Sequence, residues 1–191
     1  MGAFRKILEA HAMTVQMQAV AQTIVDAARD ETKAWLRIET AYDDSAIAAL
    51  ARAAIGMAED FCAQLMFTRG GTEVLTASSE WVRMRACPVR SITAARGLPA
   101  EGASFALASD AYAIDIGADG DGWVRVIQQG AAGRVEVDFT AGIVDDWPSL
   151  PEALRQGIVR LAAHLFAERN SDAPPAIVTA LWRPWRRMRI A

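Results

Sequence analysis

Three aspartates near the middle of the chain are the residues that come nearest to a cation site. Asp115, Asp119 and Asp121 stand in the stretch DIGADGDGW. A calcium loop needs oxygen ligands at short intervals and a bidentate carboxylate at its twelfth position, which counted from Asp115 is Val126. The glycines favour a hairpin turn between two strands. We therefore predict a turn here and no metal site.

The cysteines and histidines give little support for catalysis. His164 lies beside the apolar stripe of a predicted helix, and its only histidine companion is His11. Cys62 follows an aromatic residue on a predicted helix and Cys87 precedes a proline, so both are interpreted as structural. No phosphate-binding glycine loop, GxSxG elbow or HExxH motif is present. We predict no catalytic site and no cofactor; a small enzyme that uses His164 or Cys62 is the least favoured alternative.

The C-terminal segment Ile177–Ala191 is basic and aromatic, and it contains no acidic residue. Tryptophan and arginine are the side chains that most often anchor protein interfaces, so we predict a docking segment. Contact with nucleic acid is a second possibility, and a segment packed on its own domain is a third. The docking residues on the first interpretation are Trp182, Arg183, Trp185, Arg186, Arg187 and Arg189.

The composition limits which classes of protein the chain can belong to. The 191 residues are 52% hydrophobic and 23% charged, which suits a packed core, and the net charge of -3 does not suit a general polyanion binder. The chain lacks a run of about 18 apolar residues, so no membrane helix is predicted. Met1–Ala12 lacks the apolar stretch of a signal peptide, and we expect the protein to be made in the cytoplasm.

Helical periodicity appears in three places. Asp26–Ile38 and Asp43–Phe67 are predicted helices, and another begins at Ser149 with a capping box and ends near Asn170. We expect Leu50, Phe61, Ile158 and Leu165 to be buried between the two longer helices. The first 25 residues show only weak periodicity and are expected to be partly helical or extended.

The middle of the chain has the period of strands. Arg134–Thr140 alternates most clearly, with Val135, Val137 and Phe139 on one face. The short segments suggest a small antiparallel sheet or sandwich. The predicted strands are Trp81–Arg85, Phe105–Leu107, Tyr112–Ile116, Trp123–Ile127 and Arg134–Thr140.

Five segments in this order resemble a known family, the head–tail connector (adaptor) proteins of long-tailed phages and of gene transfer agents. Each motif is weak alone, and together they cover nearly the whole chain from about residue 26. In CPVRSI the family tends to have a proline, a valine and then a strand. The segments are DETKAWLRIE with the helix AIAALARAAIGMAEDF, then CPVRSI, VEVDFTAG, LPEALRQGIVRLAAHLFAER and ALWRPWRR.

The resemblance implies an α+β fold, in which a core of long antiparallel helices is interrupted by a small antiparallel β domain. On this interpretation residues 26–67 and 149–170 form the helical core, 68–148 the β domain and 171–191 an extended docking tail. Family members form rings, commonly of twelve subunits, between the portal and a stopper or tail protein. DNA passes through such a ring without specific binding, and the subunits belong to the neck of the virion and use no cofactor.

Overall fold

The structure is a computed structural model that describes residues 14–168 and 174–187. Within these residues the chain folds into two compact units. The helical unit comprises residues 19–68, 142–168 and 174–187, and the sheet unit comprises residues 14–18 and 69–141. The described fold is therefore mixed α/β, with the strands supplied mainly by the middle of the chain.

The helical unit contains four α-helices among the described residues, and each buries one apolar face. The helices are α1 (Gln22–Leu36), α2 (Asp44–Cys62), α3 (Glu152–Ala167) and α4 (Ala176–Trp182), and a 3₁₀ turn (Arg183–Trp185) follows α4. Helices α1 and α2 each pack on α3, and α4 also packs on α3. Each of these helices is too short or too polar to cross a membrane.

The expected burial of four residues between the long helices is correct for Ile158 alone. Leu50, Phe61 and Leu165 are half-buried. The face that α2 buries differs from the expected one and contains several alanines, among them Ala51, Ala54 and Ala58. Such small side chains allow close approach of a neighbouring helix. The predicted antiparallel arrangement of the long helices stays a prediction.

Helix α2 ends five residues before the predicted Phe67, at Cys62. Ala63 adopts a left-handed conformation with φ 53°, and its N–H donates to the carbonyl oxygen of Asp60. The carboxylate of Glu59 then accepts a hydrogen bond from the backbone N–H of Met66 at 2.9 Å. The first bond satisfies a carbonyl group that the helix end leaves free, and the second holds the chain after it has left the helix.

The predicted capping box at Ser149 is wrong. Helix α3 begins at Glu152, Pro151 is its N-cap, and no side chain caps it. The backbone N–H of Ser149 donates instead to Asp146 at 2.9 Å, in the turn before the helix. A hydrogen bond from the Ser149 side chain, and then the one from its backbone N–H, lower the pKa of the Asp146 carboxyl group, because both favour the charged form.

The sheet unit contains two antiparallel sheets. The strands are β1 (Val15–Met17), β2 (Arg69–Thr76), β3 (Val82–Arg83), β4 (Val89–Pro99), β5 (Phe105–Ala106), β6 (Tyr112–Ile116), β7 (Gly122–Val126) and β8 (Ala132–Ala141). The larger sheet has the strand order β1-β2-β8-β4-β5 and the smaller the order β3-β7-β6.

All five predicted strands exist, within a few residues of their predicted ends. In β8 the expected alternation is confirmed, because Val135, Val137 and Phe139 are buried while the residues between them are partly exposed. Strand β4 begins at Val89, directly after the CPVRSI proline, as the resemblance implied. Strands β1 and β2 have no counterpart among the predicted strands.

Candidate docking surface

Helix α4 is held on the helical unit by Trp182. This side chain is only 3% exposed, and its indole N–H donates to the carbonyl oxygen of Leu154 at 3.3 Å. Gly157 provides the space on α3, because a Cβ at this position would overlap the indole ring. Val178 lies one turn earlier on α4 and is also buried, so the two residues form one apolar face.

The residues after α4 are held by two hydrogen bonds to the end of α2. The backbone N–H of Arg187 donates to the carbonyl oxygen of Cys62 at 2.9 Å. The side-chain amide of Gln64 donates to the carbonyl oxygen of Trp185 at 2.5 Å. Cys62 is the last residue of α2, so its carbonyl group has no partner within that helix and is free to accept the bond from Arg187.

The extended tail predicted for residues 171–191 is wrong for the described residues 176–185, which are helical. Pro175, expected to stiffen an extended exit, is instead the N-cap residue of α4. Trp182 belongs to the core of the helical unit, so its ring does not present an exposed anchor. Trp185 and Arg187 are half-buried, and Arg189 lies outside the described residues.

Two of the predicted docking residues, Arg183 and Arg186, are exposed. Together with Phe61 and Thr179 they line an open pocket. The Arg186 guanidinium lies 5.8 Å from the centre of the Phe61 ring, and that ring lies 5.9 Å from the ring of Trp182. Within the described part of the chain neither guanidinium forms an ion pair, so this surface can accept carboxylates from a partner.

The aspartate-rich segment is a hairpin turn between β6 and β7, as predicted. Gly117 N–H donates to the carbonyl oxygen of Asp121 at 2.9 Å, and Gly120 has a positive φ of 80° that favours glycine. The carboxylate of Asp121 is turned inward and contacts the guanidinium of Arg83 at 2.5 Å. Among the described residues, no group of three His, Cys, Asp or Glu is placed to hold a metal ion.

The two cysteines are buried free thiols. Cys62 donates weakly to the carbonyl oxygen of Trp182 at 3.8 Å rather than to a histidine, and burial raises its pKa to about 11. Cys87 lies 3.8 Å from a carboxylate oxygen of Asp121. A raised pKa disfavours the thiolate, which is the form a nucleophilic cysteine needs. The arrangement around Cys62 therefore does not support the cysteine–histidine alternative.

Sequence reasoning missed two polar groups that organise the sheet unit. Glu73 is fully buried, and its carboxylate accepts hydrogen bonds from the backbone N–H groups of Arg85 and Ala86. Arg96 on β4 donates to Asp138 at 2.7 Å and to Glu136 at 2.8 Å on β8. Hydrogen bonds to Asp138 and then to Glu136 raise the pKa of Arg96. Glu136 and Asp138 are two residues apart on β8, so they lie on the same face of the strand, and this spacing could have predicted a shared basic partner.

Comparison with known proteins gives a result only at the level of solved structures. No protein-family model matches the chain, and no curated protein matches it. A chain in the neck of an empty gene transfer agent particle, computed with C6 symmetry, is 29% identical with a TM-score of 0.76. A chain in the neck of a native particle, computed with C12 symmetry, is 29% identical with a TM-score of 0.73. A chain from the virion of a native particle is 30% identical with a TM-score of 0.69. Each comparison covers 94% of this chain and 98% of the other.

Proposed function

Because the chain belongs to the head–tail connector-type proteins of phage-like particles, we propose that it is the adaptor subunit of a virion neck. In this role it forms a ring between the portal on the head side and a stopper or tail protein on the other side. The observation that carries the proposal is the similarity to neck chains over nearly the full length of both proteins. The resemblance of the sequence to this family is confirmed.

Twelve copies are the proposed ring size. A similar chain occurs in necks computed with C12 and with C6 symmetry. A ring of twelve satisfies both descriptions, because a twelve-fold axis contains the six-fold rotations. Closed cyclic symmetry is also the usual way in which head-to-tail contacts avoid open filaments. We expect the free chain to be monomeric and the ring to form on the portal, since closure needs many weak contacts at once.

The surface that faces the portal in this proposal is the pocket formed by Phe61, Thr179, Arg183 and Arg186. Trp182 positions that surface from within the core instead of entering the partner. Arg183 and Arg186 pair with acidic groups of the portal, and the exposed part of Phe61 supplies an apolar contact between them. Arginine is well suited to this because its planar guanidinium binds carboxylates through two hydrogen bonds.

The proposed subunit has a structural role and no substrate, and DNA passes through the ring without specific contacts. Contact with DNA through the C-terminal segment is the weaker alternative. Stacking on bases requires an exposed aromatic face. The indole of Trp182 is buried and Trp185 is half-buried, so the segment offers less aromatic surface than its composition indicated.

Removal of the gene from the organism that makes the particle tests the proposal. Loss of a connector leaves DNA-filled heads and separate tails, and a plasmid copy restores complete particles. Electron microscopy of purified fractions counts heads, tails and joined particles. Normal numbers of joined particles in the deletion strain would contradict the proposal, and so would empty heads with normal tails attached.

A further inference from the structure

Helix α2 carries a second apolar face, which is open to solvent. With about 3.6 residues per turn, its members fall on the side of the helix away from the buried residues. Met57 is 40% exposed, and a Cβ added at Gly56, at the border of this face, would meet nothing within 4 Å. Leu50 is half-buried, and the three alanines are exposed. The residues of this α2 face are Ala46, Ala49, Leu50, Ala53 and Met57.

The outer sides of the other two long helices are polar. Helix α1 exposes Gln22 and Asp30, and α3 turns the partly exposed Gln156 and Arg160 outward. A helix that is apolar on both of its sides is typical of one that is covered on both sides. Exposed apolar patches of this kind mark interaction sites. We therefore expect the α2 face to be covered when the chain is assembled into its particle.

The opposite side of the helical unit presents an exposed tryptophan. Helices α1, α2 and α3 pack on one another in pairs, so the outer side of the α1–α3 pair lies opposite the outer side of α2. Trp35 of α1 is 51% exposed there, and the guanidinium of Arg160 on α3 lies 4.9 Å from the centre of its ring. These two residues define the Trp35 side of the unit. A large aromatic ring on this side thus faces away from a face of smaller apolar side chains on the other.

The charge at the end of the α2 face is negative. Asp60 is exposed in the last turn of α2, and within the described part of the chain its carboxylate forms no ion pair. This carboxylate lies at the negative end of the helix dipole, where a cation is stabilising. Arg52, at the border between the α2 face and α1, donates to the side-chain oxygen of Gln22 at 3.1 Å. A cation supplied by a partner would therefore be favourable beside Asp60.

The Trp35 side supplies such a cation. Among the residues that the structure describes, the guanidinium of Arg160 pairs with no carboxylate and contacts the Trp35 ring. The carboxylate of Glu31, one turn before Trp35, accepts a hydrogen bond from the indole of Trp147 at 2.8 Å. In the loop after α1, residues 37–39 carry one arginine and one glutamate, both exposed, so their charges offset each other.

We propose that the α2 face of one copy packs against the Trp35 side of the next copy around the ring. This inference rests on the proposed function and identifies the lateral contact within it. A cyclic assembly needs two different patches that fit each other on opposite sides of each subunit, and these two sides differ in both size and charge. The ring of Trp35 packs on Ala53 and Met57 of the neighbour, and Arg160 pairs with the neighbour's Asp60.

Cross-linking with a short bismaleimide tests the contact in purified necks. Ala53→Cys on the α2 face and Gln156→Cys, one turn before Arg160, are combined in one chain. We expect a ladder of covalent oligomers that ends at the full ring. Each single variant gives no ladder, and a mixture of the two single variants gives dimers at most. Wild type is the background control, because Cys62 and Cys87 are buried.

A matched control moves the first cysteine to another exposed position of the same unit. Thr23 is exposed on the outer side of α1, so Thr23→Cys combined with Gln156→Cys should give no ladder.

A charge placed in the contact provides a second test. Ala53→Arg should lower the yield of joined particles at least about tenfold, because the contact would bury a cation without a partner. Thr23→Arg is the matched control and should leave the yield unchanged. Circular dichroism of each purified chain confirms that the fold is retained.

The outcomes separate this inference from the proposed function. Twelve-membered necks without cross-links between residues 53 and 156, or with a normal yield from Ala53→Arg, would overturn the lateral contact and leave the adaptor role intact. Cross-linking of residue 53 to another neck protein, or to residue 53 of a second copy, would also overturn it, since the α2 face would then meet a different surface. Absence of the chain from necks would remove the proposed function itself.

Discussion

Trp182 lies directly against the backbone of Gly157. A Cβ at residue 157 would overlap the indole nitrogen and would lie 2.8 Å from Cδ1 and Cε2 of the ring. Real Cβ atoms do not approach other heavy atoms this closely, so the position requires glycine. The contact fixes α4 on α3, and with it the orientation of the exposed Arg183 and Arg186.

The first prediction concerns this glycine. Gly157→Ala should lower the free energy of unfolding by about 1–3 kcal/mol, because the new methyl group must displace a buried ring. The direction of the change is informative, because in an unhindered helix the substitution of glycine by alanine raises the free energy of unfolding by about 1 kcal/mol. Urea denaturation followed by tryptophan fluorescence measures the change.

Gly56 on α2 is the matched control for that substitution. It is also a helical glycine, and a Cβ there would meet nothing within 4 Å. Gly56→Ala should therefore leave stability unchanged or raise it by up to about 1 kcal/mol. Equal effects of the two substitutions would contradict the packing of α4 on α3.

A second prediction concerns Trp182 itself. Trp182→Ala should destabilise the protein by about 3–5 kcal/mol, which is the usual cost of removing a large buried aromatic side chain. Trp35→Ala is the control, because Trp35 is 51% exposed and stacks only with Arg160 at 4.9 Å; it should cost at most about 1 kcal/mol. A Trp182 variant as stable as wild type would show that the segment leaves its own domain, as the sequence suggested.

The third prediction uses the thiol of Cys62. Its pKa of about 11 means that little thiolate exists at pH 8, whereas an unfolded chain has a cysteine pKa of about 8.5. Reaction with iodoacetamide at pH 8 should therefore be at least about a hundredfold slower in the folded protein than in urea. Mass spectrometry of tryptic peptides locates the label. Rapid labelling of Cys62 in the folded chain would contradict its burial.

Much of the fold could be predicted from the sequence, but the start of α1, the end of α2, the start of α3 and the state of the C-terminal segment could not. The alternation of β8 and the periodicity of α3 reflect burial on one face, which the residue types record directly. The end of α2 depends on Ala63 in a left-handed conformation, and alanine gives no sign of this. Strand β2 was not predicted because it contains Gly70 and Gly71, and a pair of glycines after a helical pattern is typical of the end of a helix.

The burial of Trp182 could not be expected from the composition of the C-terminal segment. Two tryptophans and four arginines indicated an exposed segment, and this outweighed the four-residue spacing of Val178 and Trp182. That spacing is the mark of a helix with a buried face. The space for the indole comes from Gly157, which lies 25 residues away along the chain. A sequence without an alignment does not reveal such a pairing.

The fourth prediction tests the portal-facing surface. The double variant Arg183→Glu with Arg186→Glu should fold normally and fail to bind portals. The new glutamates would repel the acidic portal groups with which the two arginines are proposed to pair. Arg52→Glu with Arg134→Glu is the control, since it makes the same charge change at two exposed arginines that do not line the pocket. Co-sedimentation with purified portals measures binding. Equal retention of both variants on portals would show that another surface docks.

The central claim is that this chain forms the ring between head and tail, and a cryo-electron microscopy reconstruction of the neck tests it most directly. Particles from the producing organism are imaged, and the neck is reconstructed without imposed symmetry. The account predicts one ring of twelve copies, each with the helical unit and the sheet unit described above, in contact with the portal. It would be contradicted by a neck in which this fold is absent, or by its presence only in the head shell or the tail tube.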